Sequence, residues 1–541
     1  MGEEKNNVYS YHTFVLPIAW QGNYNSVDNY KCFVKCFDEN AYWVNENIKD
    51  PYNILSENNC NSIYEQELRY AEYQYFHPYV RKAIYGYEDD IVRNYQFMPD
   101  KIHDKAVYHI VKENKHYKLL VNAIRLKIFN TGIALFIMEC ENRIDSEDTA
   151  NQNTVEAVKN INDWGRRVTL PLINGIFLGA HKLTIEIPAS ENMNELKLED
   201  DFKGFVDKLS DRDKKEEKEV NISTAHMCNF IKTLMGYGSK YKFTSKKTTD
   251  KKTFHVYPML DDRMTVISIV TGTCMSSKIF NKIEGLEYEY NDNIENLRDI
   301  YELIYIDPAG GCSCQFDNML YQYVDKALYK RWINYDSIYS IVTQGMLMIT
   351  SQEEGFLIDN FLTEYTQMMY LVLVQRASLI KFKREAVKLA ANVNGRGKNI
   401  CQKSIIKIMD LQERFIAFSG QLCFEEVSPQ EQAIEMYDMM KEAFHIDKLM
   451  DSLENLIRSM YEAADTTIGF KVNKVALLFT WISGIIAFIA LISDLCQVQF
   501  GDKEFFNNRF GESFLIYTLV IGFFLMLICI VKILYDYKRR K

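Results

Sequence analysis

Apolar and polar positions are distributed very unevenly along the chain, and the longest uncharged apolar runs lie near its end. Residues 475–493 and 513–531 each form a run of 19 residues without a charged side chain. As a helix, each run would be about 28 Å long, close to the ~30 Å thickness of a bilayer's hydrocarbon core. The pattern therefore predicts two C-terminal transmembrane helices.

The charges that flank the two runs predict their orientation. Lys471 and Lys474 precede the first run, and a basic tail at 532–541 follows the second. The segment between the runs, 494–512, has four acidic and two basic side chains. Because basic flanks stay on the cytoplasmic side, both termini are expected in the cytoplasm of a multi-pass inner-membrane protein.

A stripe of small or polar residues follows the first run at alternating spacings of three and four, which places it on one helix face. The stripe consists of Asn473, Ala476, Thr480, Ser483, Ala487, Ala490 and Asp494. It fits either a close helix–helix contact or the wall of a pore. Its polar ends favour a pore, because Asn and Asp are costly to bury in lipid. Two helices cannot enclose a water path, so a pore requires a homo-oligomer.

The first 350 residues alternate strand and helix signals. Residues 118–129 and 133–140 are β-branched apolar runs joined by Asn-Thr-Gly, which predicts a hairpin. Further strands are predicted at 9–20, 183–187, 254–259, 264–270 and 300–306.

From residue 351 the pattern is helical. Apolar positions from Ile446 to Ala464 recur at spacings of three and four, which predicts a stalk helix that packs against copies of itself. The expected fold is thus an α/β cytoplasmic head (1–350), a helical stalk (351–472) and a two-span membrane domain (473–541) with a short outer loop and a basic tail.

Charge and motif content narrow the function classes. The chain has 63 basic and 73 acidic residues, a net charge of −10, which disfavours direct binding of nucleic acid. Its 12 cysteines include no Cys-x-x-Cys pair, so reduced thiols are expected and no metal site is predicted. No P-loop, nucleophile elbow, zinc-protease or dinucleotide-binding motif occurs. We therefore expect no enzyme and no catalytic residues.

One constellation in the head suits a nucleotide. In the segment 162–167, Arg166 and Arg167 are candidates to bind a phosphate and Trp164 to stack on a base. The alternative is a helix that ends at a glycine with arginines complementing its dipole. Arg331 and Trp332 form a second Arg/Trp pair.

With a cytoplasmic head, a long stalk helix, two spans and a basic tail, the chain resembles the CorA-type divalent-cation transporters. Asn473 and Thr480 match the family's spacing in the first span. The family's Gly-Met-Asn signature would fall on Gln-Val-Gln at 497–499 and is absent. Gln499 would then stand where the family's Asn lines the pore mouth. The resemblance implies a pentamer and Mg²⁺ or another divalent cation as the permeant ion, passed with weak selectivity because the signature is lost.

A large head with a pore stripe and no signature is similar to the CorA-like effectors of type III CRISPR systems. That resemblance implies an oligomeric channel in antiviral defence, gated when S-adenosylmethionine conjugated to AMP (SAM-AMP) binds the head. Two alternatives stay open: a constitutive divalent-cation transporter with an altered filter, and a membrane-anchored enzyme or scaffold.

Overall fold

The fold comes from a computed structural model of the chain. It describes residues 8–22, 26–48, 63–86, 90–103, 105–142, 152–173, 176–189, 194–213, 227–246, 250, 252–271, 279–282, 288–290, 293–394 and 402–501.

The strands of the described residues are β1 (Tyr9–Gln21), β2 (Trp43–Asn45), β3 (Val92–Phe97), β4 (Ala106–Lys112), β5 (Lys115–Phe129), β6 (Ile133–Asn142), β7 (Leu172–Ile173), β8 (Ile176–Phe177), β9 (Lys182–Ile187), β10 (Leu196–Asp201), β11 (Lys242–Thr244), β12 (Thr253–Pro258), β13 (Thr265–Thr271), β14 (Phe280–Lys282), β15 (Tyr288–Tyr290), β16 (Leu328–Tyr329), β17 (Ser337–Val342) and β18 (Gly345–Thr350).

The α-helices are α1 (Ser26–Asp38), α2 (Ile63–Tyr75), α3 (Pro78–Tyr85), α4 (Pro99–Ile102), α5 (Val155–Gly165), α6 (Phe202–Asp213), α7 (Asn229–Gly236), α8 (Ile294–Tyr305), α9 (Asp317–Ala327), α10 (Phe356–Asn360), α11 (Thr366–Asn394), α12 (Gln402–Leu422), α13 (Glu431–Ala443) and α14 (Ile446–Gly501). A 3₁₀ turn covers Ile333–Tyr335, and a π-helical turn, Phe361–Tyr365, joins α10 to α11.

A mixed sheet of 14 strands organises the described residues. Ten strands follow the order β10-β9-β4-β5-β6-β1-β13-β18-β17-β16, and β2, β3, β11 and β12 pair beside this path. Most neighbours are antiparallel, whereas β13–β18 and β11–β12 are parallel. The predicted hairpin is confirmed, since β5 and β6 pair across it.

The sheet is covered on both faces, because successive side chains of β6, β13, β17 and β18 are almost all buried. Helices α1, α5 and α7 contribute to one apolar core, and α8 and α9 contribute to a second core beside β17 and β18. Helix α11 packs against β6 and β1.

The predicted strand at 300–306 is wrong: these residues belong to α8, apart from Ile306, which caps the helix. The run is rich in Ile and Tyr, which favoured a strand. However, Leu297, Ile300, Tyr301 and Ile304 are all buried and share the helical spacing of three and four. Asn293 begins the helix by accepting a hydrogen bond from the Glu295 amide.

The structure divides the chain into two compact units. Residues 1–397 with 401–460 form the first unit, and residues 398–400 with 461–541 form the second. The helices that follow residue 350 therefore belong to the same unit as the sheet as far as Met460.

The two-span membrane fold is corrected by the structure. Among the described residues, no helix has the combined length and apolar character needed to cross a membrane. The predicted transmembrane domain and the inner-membrane localisation are therefore contradicted. The prediction relied on the hydropathy of two runs. The first run is part of α14, which begins with a charged, heptad-patterned segment at Ile446, and the run at 513–531 lies outside the described residues.

The apolar heptad face at the start of α14 is covered within a single chain. Ile446, Leu453, Ile457 and Met460 are all buried, and the Lys383 ammonium of α11 lies 3.4 Å from the Ser452 hydroxyl. The pattern was interpreted as a contact between copies. In the first unit it is instead the face by which α14 packs on its own chain, and the homo-oligomer remains a prediction.

Candidate functional site

The predicted ligand residues lie at the C-terminal end of α5. The helix begins where the Thr154 hydroxyl accepts a hydrogen bond from the Ala157 amide. It ends at Gly165, where an added Cβ would lie 2.8 Å from Ile110 Cδ1 and 3.1 Å from Phe14 Cζ. The helix end thus lies directly on the sheet, and a larger residue here would require the Ile110 and Phe14 side chains to shift.

Asp163 is the centre of the arginine pair. Arg167 donates to Asp163 Oδ1 through Nε at 3.1 Å and Nη2 at 2.7 Å. Arg166 Nη2 lies 3.8 Å from the same oxygen and donates to the Ile306 carbonyl at 3.1 Å. Both guanidinium groups therefore have partners inside the chain, as the helix-end alternative expects.

Trp164 and Arg166 are deeply buried, with 7% and 3% of their surfaces exposed. The Lys112 ammonium lies 4.8 Å from the centre of the Trp164 ring. Burial, with smaller effects from Arg263 and Arg167, lowers the pKa of Arg166 to about 10, so it stays charged at neutral pH. Trp164 Nε1 and Arg166 Nε have no hydrogen-bond partner in the described part of the chain. The structure brings the three predicted residues together, but Trp164 and Arg166 are buried and therefore not exposed to a ligand.

Other side chains of α5 join a buried polar network. Asn162 Oδ1 lies 2.7 Å from His12 Nδ1, and the other ring nitrogen lies 2.8 Å from the Ser10 hydroxyl. Lys159 pairs with Glu302 at 2.7 Å, and both side chains are buried. We call these five residues, Ser10, His12, Lys159, Asn162 and Glu302, the α5 network. Its polar groups hold α5 and α8 against the sheet.

The second Arg/Trp pair contacts a group of tyrosines. Arg331 Nη1 donates to Glu435 at 2.7 Å, while the Trp332 indole lies close to Tyr365. The hydroxyls of Tyr75, Tyr339 and Tyr365 and the Trp332 Nε1 are buried and make no hydrogen bond of normal geometry among the described residues. The Tyr365 hydroxyl nevertheless lies near the Tyr75 hydroxyl and the Trp332 indole. Tyr365 belongs to the π-helical turn. We call Tyr75, Tyr339 and Tyr365 the tyrosine cluster.

The predicted pore residues follow α14. Their 3–4 spacing lies on one continuous helix, and the stripe members whose side chains are described are exposed: Asn473, Ala476, Thr480, Ser483, Ala487 and Ala490. The side chains of Asp494 and Gln499 lie outside the described residues. The pore role depended on the membrane spans and is not carried further.

An open groove lies along α11, and sequence reasoning missed it. Its volume is about 340 Å³, and it is lined by Ile380, Lys383, Arg384, Val387 and Lys388. The spacing of these five residues is that of one helix face. The lining of the groove is apolar, formed by Ile380, Val387 and the aliphatic stems of Lys383, Arg384 and Lys388.

The three cations of this basic groove have no carboxylate partner within 4 Å in the part of the chain that the structure describes. Arg384 Nη1 lies 3.8 Å from the Met259 sulfur, and its charge also acts on Tyr257. The adjacent Glu385 pairs with Arg414 of α12, at 2.7 Å. The helix face that forms the groove therefore carries three positive charges without an ion-pair partner among the described residues. The spacing of the five residues that line the groove could have indicated it from the sequence. However, the same spacing is typical of an ordinary solvent-exposed helix face.

The described residues contain no group of three or more His, Cys, Asp or Glu side chains arranged to hold a metal ion. A scan against models of protein families and searches of curated proteins and of solved structures found no match to this chain.

Proposed function

We propose that the first unit binds a small phosphate-bearing ligand, and that the basic groove on α11 receives it. The observation that carries the proposal is a group of three cations on the helix face that forms this open groove of about 340 Å³: Lys383, Arg384 and Lys388. Among the described residues, none of them has a carboxylate partner. Pockets for small ligands begin at about 300 Å³, so a mononucleotide-sized group fits.

The chemistry of the lining favours an anion with an apolar or planar part. The Arg384 guanidinium suits two oxygens of one phosphate, and the two lysines add charge from the sides. Ile380 and Val387 offer the apolar surface on which a base would lie. By contrast, the arginines at the α5 end are already engaged by Asp163.

The resemblance to CorA-like CRISPR effectors supplies one candidate ligand, SAM-AMP, which carries a phosphate and adenine groups. A role in antiviral defence rests on that resemblance. The function that we propose for the α/β unit is narrower than that of a channel: the unit binds a ligand, without a membrane pore.

The test is calorimetric titration of the full chain with inorganic phosphate, AMP and SAM-AMP. The variant K383Q/R384Q/K388Q removes the groove's charge while keeping its length and polarity. Because a hydrogen bond to a charged group contributes about 1.5–3 kcal/mol, we expect affinity to fall at least about tenfold. Affinity of the parent should also fall as salt is raised.

Two control variants locate the ligand. Lys407 is exposed on the neighbouring helix α12, and K407Q should leave binding unchanged. R166A/R167A removes the pair at the α5 end. Loss of binding in R166A/R167A alone, with the groove variant unaffected and both proteins folded, would move the site to α5. Binding that survives in both variants, or no binding of any probe by the parent, would contradict the proposal.

A further inference from the structure

A pair of histidines lies on the β4–β5 hairpin, away from the basic groove. His109 Nδ1 of β4 is 3.0 Å from His116 Nε2 of β5. The two strands are joined by a two-residue turn at 113–114, where Glu113 has a φ of 52°. The pair therefore rests on a tight, hydrogen-bonded hairpin within a large sheet, and strands hold side chains in more reproducible positions than loops do.

A carboxylate lies near the His109 ring, at a distance too long for a hydrogen bond. Glu186 Oε2 of β9 is 3.6 Å from His109 Nε2, the nitrogen that faces away from His116. A carboxylate next to one ring nitrogen favours the proton on that nitrogen. The lone pair of His109 Nδ1 is then directed towards His116.

The pKa values of both imidazoles lie below the usual value for histidine. Burial, and then the neighbouring His116, lower the pKa of His109, while burial and Lys118 lower the pKa of His116. The other charges that act on His109 are Glu186, which raises its pKa, and Lys197, which lowers it. Lys197 is itself paired with Glu186, at 3.1 Å.

We propose that His109 and His116 together bind one divalent transition-metal ion of the kind imidazole prefers, such as Cu²⁺ or Zn²⁺. With zinc–nitrogen bonds of about 2.0–2.1 Å, two nitrogens of a tetrahedral site are about 3.3 Å apart. The observed 3.0 Å separation needs to widen by only a few tenths of an ångström. Small rotations of both rings would do this, because His116 is exposed and His109 is only half-buried.

The site has two protein ligands, so water completes the coordination. On binding, the ion takes the lone pairs of His109 Nδ1 and His116 Nε2, and the proton between them moves to His116 Nδ1. Oxygen-preferring ions such as Mg²⁺ and Ca²⁺ gain little from two imidazoles. Among divalent ions Cu²⁺ binds nitrogen ligands most strongly, so it should bind more tightly than Zn²⁺.

The experiment is titration of the full chain, first stripped of metal with a chelator, with Cu²⁺ and with Zn²⁺. Calorimetry gives the affinity, and the electron paramagnetic resonance spectrum of the Cu²⁺ form counts coordinating nitrogens. We expect one site with two imidazole nitrogens, lost in H109A and in H116A. E186Q should weaken it by about ten- to a hundredfold, as is typical when a residue that orients a metal ligand is changed.

H77A is the matched control, because His77 is also partly exposed and its ring contacts a glutamate, Glu426. It should leave the two-nitrogen site intact. Exposed His116 can be replaced without disturbing the core, so a folded H116A protein is expected and can be verified by circular dichroism. Copper bound with the same nitrogen signature in H116A, or no site in the parent protein at millimolar metal, would overturn the proposal.

Discussion

The α5 network and the tyrosine cluster are both buried and polar, but they differ in how far their polar groups are hydrogen-bonded. In the α5 network, both ring nitrogens of His12 have neighbours within hydrogen-bond distance, and the Lys159 ammonium contacts Asp299 as well as Glu302. In the tyrosine cluster, three hydroxyls make no hydrogen bond of normal geometry in the described residues. Two equally buried regions can therefore differ in how many of their polar groups form hydrogen bonds.

The difference follows from how each set of residues is placed. The α5 network is built on a regular helix and regular strands, whose periodic positions bring donors opposite acceptors. The tyrosine cluster includes the π-helical turn at Phe361–Tyr365, which shifts the register of one helix turn relative to its neighbours. We expect substitutions to be costly in the first region and tolerated in the second.

The largest effect is expected for Lys159→Met. The change leaves the buried Glu302 carboxylate without its cation, which typically costs about 3–5 kcal/mol. The measurement is the midpoint of urea-induced unfolding. Lys159→Met combined with Glu302→Gln should recover most of the loss, because the neutral amide still accepts from the Gly310 amide. An unchanged midpoint in the single variant would show that the pair is not a structural contact.

The second effect depends on pH and concerns His12. Burial lowers its pKa from 6.5 to about 4, so between these values the unfolded chain binds a proton that the folded chain does not. The free energy of unfolding therefore rises with pH across this window and is fully gained above pH 6.5. The loss on going from pH 6.5 to 4 is about 3 kcal/mol.

The control for this pH effect is His12→Gln, which keeps a polar side chain but cannot titrate. Unfolding curves of the parent and of the variant, collected from pH 4 to 7, give the difference directly. Carboxyl groups that titrate elsewhere, such as Glu364, cancel in this comparison. Parallel curves for the two proteins would mean that His12 is not held neutral by the fold.

The smallest effect is expected for Tyr365→Phe. It removes a hydroxyl that makes no hydrogen bond of normal geometry among the described residues, so the free energy of unfolding should change by less than about 1 kcal/mol, or increase. Tyr437→Phe is the matched comparison, because Tyr437 OH accepts a hydrogen bond from Gln375 Nε2 at 2.7 Å. That variant should lose about 1–2 kcal/mol. Equal losses in both variants would mean that the Tyr365 hydroxyl contributes as much to stability as a hydrogen-bonded one.

Periodic local patterns were predictable from the sequence. The β5–β6 hairpin was predicted because alternation and a turn signal agree within some twenty residues. The run at 300–306 was assigned to a strand because Ile and Tyr suit both structures. In that case burial by β17 and β18, which come later in the chain, decides the outcome.

Sites were harder to predict, because the partners of their residues are distant in sequence. Arg166 and Arg167 look like a phosphate clamp until Asp163 and the Ile306 carbonyl are placed beside them. The basic groove requires knowing that no acid lies opposite Lys383, Arg384 and Lys388. The heptads from Ile446 predicted an apolar contact but not whether another chain or the same chain provides it.

The order of strands also has a consequence for synthesis. The middle of the sheet runs β6-β1-β13-β18, so an early, almost entirely buried strand, β1, lies between partners translated much later. At about 5–20 residues per second, the roughly 240 residues from β1 to β13 take on the order of ten to fifty seconds to leave the ribosome. Throughout that time the apolar strand β1 has no partner strand along one of its two edges. The nascent chain must therefore be shielded, and its sheet can close only after most of the first unit has been made.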